Sequence, residues 1–177
     1  MFVCAGEKES FPFAMPMGIG LEQMAINLTK FLATRKEVPK HLLFVGTAGS
    51  YGRSTIFDII ESKTASQIEL SFLQKQSYTP IDNVVSTGDS QTIVNSSNYI
   101  TSDFKISKKF LNLNIDIENM EFFAFLQVAK SFGIPAGGVF VVTNFTNQNA
   151  HQDFQLNHQE AMRRVTRYIE SRFQFKS

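Results

Sequence analysis

Glu121 stands between Met120 and Phe122 at the head of an apolar stretch, Ile117 to Pro135, and Phe123, Phe125, Leu126, Val128 and Ala129 follow it. A carboxylate in such surroundings is costly unless it escapes to water or finds donors. The local explanation is a helix-start acid, stabilised by free N–H groups and the helix dipole. The other is that something in the interior uses it. Two more acids, Glu7 and Glu9, follow the short apolar run "MFVCAG", where they can serve as general bases or as solvated loop charges. "FVGTAGSYG", Phe44 to Gly52, puts Thr47, Ala48 and Gly49 after a strand. Its small residues allow backbone N–H groups to approach an anion or a sugar, although a plain turn needs glycines too. "MPMGIGLEQMA" sets Gly18 and Gly20 at a helix entry, but Gln23 fills the third glycine position of a dinucleotide fingerprint, which disfavours such a site.

The three histidines, His41, His151 and His158, lack metal-ligand spacing, and the single cysteine, Cys4, excludes an internal disulfide or a cysteine-rich metal site. No metal and no cofactor is expected. Ser50 and His151 could be imagined as parts of a triad, but no nucleophile-elbow sequence supports it. A net charge of +1 leaves no electrostatic footprint for nucleic acid or an acidic membrane. The arginines at 163, 164, 167 and 172 read as a solvated helix face. No apolar run reaches the ~20 residues of a membrane helix, and no signal peptide is recognised. The expectation is a cytoplasmic protein, a single domain over residues 1–177.

The elements that must hold these residues follow from periodicity. "MFVCAG" reads as a buried strand and "FPFAMPM" as an extended edge piece confined by Pro12 and Pro16. Leu21, Met24, Ala25, Leu28, Phe31 and Leu32 form one helical face. "HLLFVGTAGSYG" reads as a strand running into a glycine loop. "STIFDIIES", "SQIELSFL", "NVVS" and "QTIVNSSNYI" read as further strands, and "SKKFLNL" as a short helix or turn. The helix carrying the Glu121 question ends at Gly133 and Pro135, a β-branched strand "AGGVFVVTN" follows, and a helix closes the chain. The fold class is α/β, a twisted mixed sheet flanked by helices. Ligands in such sheets collect at the carboxyl ends of the strands, where "GEKE", "GTAGSYG" and "TNFTN" fall.

Taken in order, "GIG" at Gly18, "VGTAGS" at Val45, "NMEFFA" at Asn119 and "GIPAGGVFVVTN" at Gly133 resemble the nucleoside phosphorylase and nucleosidase family. That family includes purine nucleoside phosphorylase, uridine phosphorylase and methylthioadenosine/S-adenosylhomocysteine nucleosidase. The resemblance implies that Glu121 accepts hydrogen bonds from the ribose hydroxyls, with Met120 packed on the sugar and Asn119 beside them. It places Thr47, Ala48 and Gly49 against the substrate, Tyr99 under the base and Ile100 beside it. An alternative alignment uses "TGDS", Thr87 to Ser90, for the base strand; spacing to Met120 favours Tyr99.

The departures bear on mechanism. Phe44 stands where the family's phosphate arginine would be, and the N-terminal loop that carries another is shortened. Asn144 stands where purine-specific members have an aspartate, and an amide can donate a hydrogen bond but not a proton. The resemblance therefore implies a nucleoside ligand, purine favoured, cleaved slowly at its N-ribosyl bond by water that Glu7 or Glu9 activates. The alternative is a catalytically degenerate relative acting as a binding or interaction protein. Family members pack subunits near their active sites, which implies a homo-oligomer, a homodimer or a multiple of one.

Overall fold

The computed structural model describes residues 1–174. In chain order its elements are β1 (Phe2–Cys4), β2 (Ala14–Pro16), α1 (Leu21–Ala33), β3 (Leu42–Ser50), β4 (Ile59–Ser62), β5 (Thr64–Ser66), α2 (Leu70–Leu73), β6 (Val84–Ser86), β7 (Ile93–Ser96), α3 (Phe104–Asn112), β8 (Ile117–Asn119), α4 (Phe122–Ser131), β9 (Ala136–Phe145) and α5 (Ala150–Phe173). The nine strands form one mixed sheet. β3 and β9 are its spine, parallel along their whole length and buried almost throughout. Both read as continuous apolar and small residues rather than alternating ones, as strands covered on two faces must.

From that spine the sheet closes on itself. β9 pairs with β4; β4 runs through Lys63 into β5; β5 pairs with β7, β7 with β8, and β8 returns to the end of β3. The outer strands β1 and β2 extend from β3 in parallel, and β6 edges β5. A register shift after Ala48 leaves Thr143 unpaired on β9, since Ala48 faces Val142 and Gly49 faces Asn144. Bulges of this kind bend a strand and re-aim its side chains, and this one lies where β8 joins β3.

Two helical layers cover the sheet. α1 and α4 share a core with Phe44, Phe122, Phe125 and Phe140, while Ala161, Val165 and Ile169 of α5 pack on Val45, Val139 and Val141 from the other side. A third cluster, Tyr51, Ile68, Phe110 and Ile115, lies under α3.

The expected elements are present with four differences. "GTAGS" is not a loop: β3 continues to Ser50 because β8 and β9 pair with Gly49 from both sides. "SQIELSFL" is not a strand, because the Asn95 side chain takes both the amide and the carbonyl of Ile68 and the chain then turns into α2. The strand in "STIFDIIES" begins only at Ile59, after a turn in which Asp58 accepts from the Thr55 amide and Phe57 has φ +72°. The strand in "QTIVNSSNYI" stops at Ser96, whose hydroxyl turns to accept from the Phe123 amide.

Candidate active site

Glu121 is 3% exposed and occupies the N-cap position of α4, yet its side chain does not cap the helix. Asn119 does so instead. Its Oδ1 accepts from the amides of Glu121 at 2.8 Å and Phe122 at 2.9 Å, and its Nδ2 donates to the Thr47 carbonyl at 3.1 Å. Ser96 Oγ accepts from the Phe123 amide at 2.9 Å. Three of the four donors that a helix start leaves free are thus satisfied by other side chains. The Glu121 carboxylate reaches across to the start of α1, where Oε1 accepts from the Gly20 amide at 2.8 Å. Glycine is required there: φ is +87°, and a Cβ would lie 2.8 Å from Asn98 Oδ1.

The second acid arrives from the loop after β1. Glu9 Oε2 accepts from the Thr47 amide at 3.1 Å, and Oε1 accepts from the Thr47 hydroxyl. Gly46 permits this approach, since a Cβ there would sit 2.9 Å from Glu9 Oε2. Glu9 and Glu121 feel one another. Burial, and then the charge of Glu9, pushes Glu121 up to about 8. Burial also raises Glu9, opposed by the two Thr47 donors and by nearby His158. His158 Nε2 is itself buried without a hydrogen-bond partner among the described residues. Two carboxylates facing one space titrate as a pair, and ionisation of one opposes ionisation of the other.

These acids line one cavity of about 270 Å³ at the carboxyl ends of β1, β3 and β9, near the lower end of small-ligand sites (roughly 300–1,000 Å³). The catalytic and substrate-binding candidates named from the sequence all line it: Glu7, Glu9, Thr47, Ala48, Gly49, Tyr99, Ile100, Asn119, Met120, Glu121 and Asn144. Their situations differ. Glu7 is exposed at the rim with φ +54°. Tyr99 and Ile100 are exposed at the mouth. Asn144 is buried, its Oδ1 accepting from the Thr143 hydroxyl at 2.9 Å and its Nδ2 donating to the Phe145 carbonyl at 3.2 Å.

Glu118, Lys8 and Phe154, which the sequence does not single out, also line the cavity, as does His151, set aside above for want of a nucleophile elbow. His151 and Phe154 lie three apart in the first turn of α5, immediately beyond "TNFTN", and that adjacency was the available signal. Phe44 lies outside the lining, among Phe122, Phe125 and Phe140. Arg53 is paired with Asp116 and is also outside it. Among the described residues no cluster of His, Cys, Asp and Glu could hold a metal ion, and no helix is long and apolar enough to cross a membrane.

Residues 92–173 match the phosphorylase superfamily. No curated protein matches the chain by sequence. Among solved structures, the chain is similar to the D198N variant of Helicobacter pylori methylthioadenosine nucleosidase with 5'-methylthioadenosine in its active site. That match has a TM-score of 0.74 at 16% identity and covers 88% of this chain and 77% of the other. Futalosine hydrolase of the same organism gives a TM-score of 0.75 at 15% identity, with the same coverage. The Streptococcus pneumoniae 5'-methylthioadenosine/S-adenosylhomocysteine nucleosidase with a transition-state inhibitor gives 0.71 at 15%, covering 87% and 76%. At these identities the likeness is one of fold.

Proposed function

This chain carries the fold of the phosphorylase superfamily and matches it over residues 92–173; on that premise we propose that it binds a purine nucleoside and hydrolyses its N-ribosyl bond. The observation that carries the reading is the meeting of two carboxylates, buried Glu121 and half-buried Glu9, in one cavity. Glu121 has Oε1 on the Gly20 amide, and its carboxylate lines the cavity, where it can accept from ribose hydroxyls. Glu9, oriented by Thr47, serves as the base that positions and deprotonates water. An oxocarbenium-like sugar develops positive charge, and two carboxylates beside it stabilise that charge as it forms.

Water is favoured over phosphate on three grounds. The Thr47 amide and hydroxyl, the donors a phosphate would need, are both occupied by Glu9. Phe44 is packed in the core, and Arg53 is engaged by Asp116. A phosphate dianion would also enter beside two acids, at a cost that a single exposed Lys8 does not offset. The leaving base is served by the Asn144 amide and by the His151 imidazole on the same wall. Association of subunits over the exposed Tyr99, Ile100 and Ile19 at the mouth is part of the same reading.

The test is incubation with adenosine and 5'-methylthioadenosine, with and without phosphate. Free base and free ribose sugar are expected at rates indifferent to phosphate. Saturation with phosphate and a sugar 1-phosphate product would refute the choice of nucleophile. Glu9→Gln is expected to lower kcat by about 10²–10⁴-fold, the usual worth of a general base, while still binding nucleoside. A binding-only role predicts no free base from the wild-type protein at all.

A further inference from the structure

The cavity wall contains one buried acid that the chemistry above leaves unused. Glu118 of β8 is buried, and both of its oxygens are engaged: Oε2 accepts from the Tyr51 hydroxyl at 2.8 Å and Oε1 from the Thr101 amide at 2.9 Å. Tyr51 is 1% exposed and stacked on Phe110 with ring centroids 4.3 Å apart, so its hydroxyl is a fixed post. A buried carboxylate is a costly link between a core tyrosine and a loop, because an apolar pair would fill the same space without the desolvation penalty. Its return must lie in what it holds.

What it holds is the short segment between β7 and α3. At one end Asn98 Oδ1 accepts from the Leu21 amide at 2.9 Å, and its Nδ2 donates to Glu22 at 2.7 Å. At the other end the Thr101 amide is tied to Glu118. Between these posts Tyr99 and Ile100 are 81% and 56% exposed, and both line the cavity mouth. Two exposed apolar side chains without packing of their own would ordinarily wander; here the backbone on either side is fixed.

We infer that Glu118, locked by Tyr51, is a positioning residue that fixes the Thr101 amide and thereby sets where Tyr99 and Ile100 meet the base of a bound nucleoside. The inference rests on the proposed function. It adds that recognition on the base side is built through a second buried acid, separate from the sugar-side Glu121.

The test uses the 177-residue chain as wild type, Glu118→Ala, Glu118→Gln and Tyr51→Phe. Adenosine and free adenine are the probes, and hydrogen exchange at the Thr101 amide is read without ligand. In Glu118→Ala, Thr101 exchange is expected to accelerate, and Kd for adenine and adenosine to rise by a common factor of about ten, the worth of one hydrogen bond to a charged group. Glu118→Gln should restore both readouts to within about threefold, because its carbonyl can accept from Thr101 while its amide donates to the Tyr51 oxygen. Tyr51→Phe keeps the ring but removes the post, and should fall between the two. If Glu118→Ala fails to fold, the Gln and Phe variants carry the same comparison.

Lowered thermal stability with unchanged Kd at a temperature where the variants are folded would make Glu118 merely structural and overturn the inference, as would unchanged exchange at Thr101. Wild-type protein that binds neither probe overturns the proposed function and this inference with it. Wild-type protein that binds both, with Glu118→Ala binding equally well, overturns the inference alone.

Discussion

Glu121 poses its question at the scale of one side chain, and the answer is electrostatic. With a folded value of about 8, its carboxyl is mostly protonated at neutral pH in the empty cavity. Ribose hydroxyls are donors and bind best to the ionised form, which accepts at both oxygens. Nucleoside affinity should therefore rise as pH is raised from about 6.5 toward 8.5, in step with the ionised fraction of Glu121. Glu121→Gln should lose that slope and bind more weakly at every pH, since an amide offers one acceptor oxygen in place of two. Calorimetric titration with adenosine across that range checks both statements; an affinity that falls with pH in the wild type would show that the neutral acid is the binding form. The charge of Glu9 is the second cause of the raised value, so Glu9→Gln should move the midpoint of the affinity profile to lower pH. That shift separates coupling of the two acids from burial alone.

Asn119 shows what an element requires of a residue that does no chemistry. By capping α4 and tying it to the Thr47 carbonyl, it frees Glu121 from the cap and joins the helix to β3. Asn119→Ala removes a cap worth about 1 kcal/mol and strands a buried carbonyl at a further ~1–3 kcal/mol. A loss of roughly 2–4 kcal/mol in urea unfolding is expected, whereas a loss below about 0.5 kcal/mol would mean that water replaces the side chain. In the sequence, α1, α4, β3, β9 and α5 were legible because their apolar periods are long, and the carboxyl ends of β1, β3 and β9 marked where to look. What escaped was decided by single side chains acting at a distance. Asn95 closes off the strand expected in "SQIELSFL" by bonding Ile68, and Ser96 ends β7 by turning to α4. The same blindness hid Glu118, which reads as one polar residue in a short strand until Tyr51, sixty-seven positions earlier, is seen to meet it. Periodicity reports which face of an element is buried; it carries no record of partners that far apart.

At the scale of the whole molecule, burial raises four acids, Glu9, Asp116, Glu118 and Glu121, above their ordinary values, Asp116 despite its Arg53 partner. Each binds its proton more tightly folded than unfolded. Below the ordinary carboxylate range both states are protonated and these groups are neutral in their effect. As pH rises through that range the unfolded chain releases the protons first, so stability falls until the folded values are passed, about 8 for Glu121. Glu22 and Glu160 are lowered by their hydrogen-bond partners, Asn98 and Arg164. They act in the opposite direction, but Glu22 is exposed and Glu160 half-exposed, their contribution is screened, and it is complete once pH exceeds the ordinary carboxylate range. The amino terminus, lowered by partial burial, opposes the trend only near its own ordinary value of 8.0. The protein should therefore be more stable at pH 5 than at pH 8 and lose stability steadily between them, a profile that follows from burying acids in and beside the cavity. Urea unfolding at pH 5, 6.5 and 8 reads this directly. Glu121→Gln, which removes a group whose window reaches about 8, should flatten the decline and be more stable than the wild type at pH 8. Saturating nucleoside should restore wild-type stability at pH 8 more than at pH 5, because the ligand supplies further donors to the ionised Glu121 carboxylate. A wild-type profile that is flat or rises from pH 5 to 8 would mean that the cavity holds its acids ionised through solvent, and the electrostatic account of the site would fail with it.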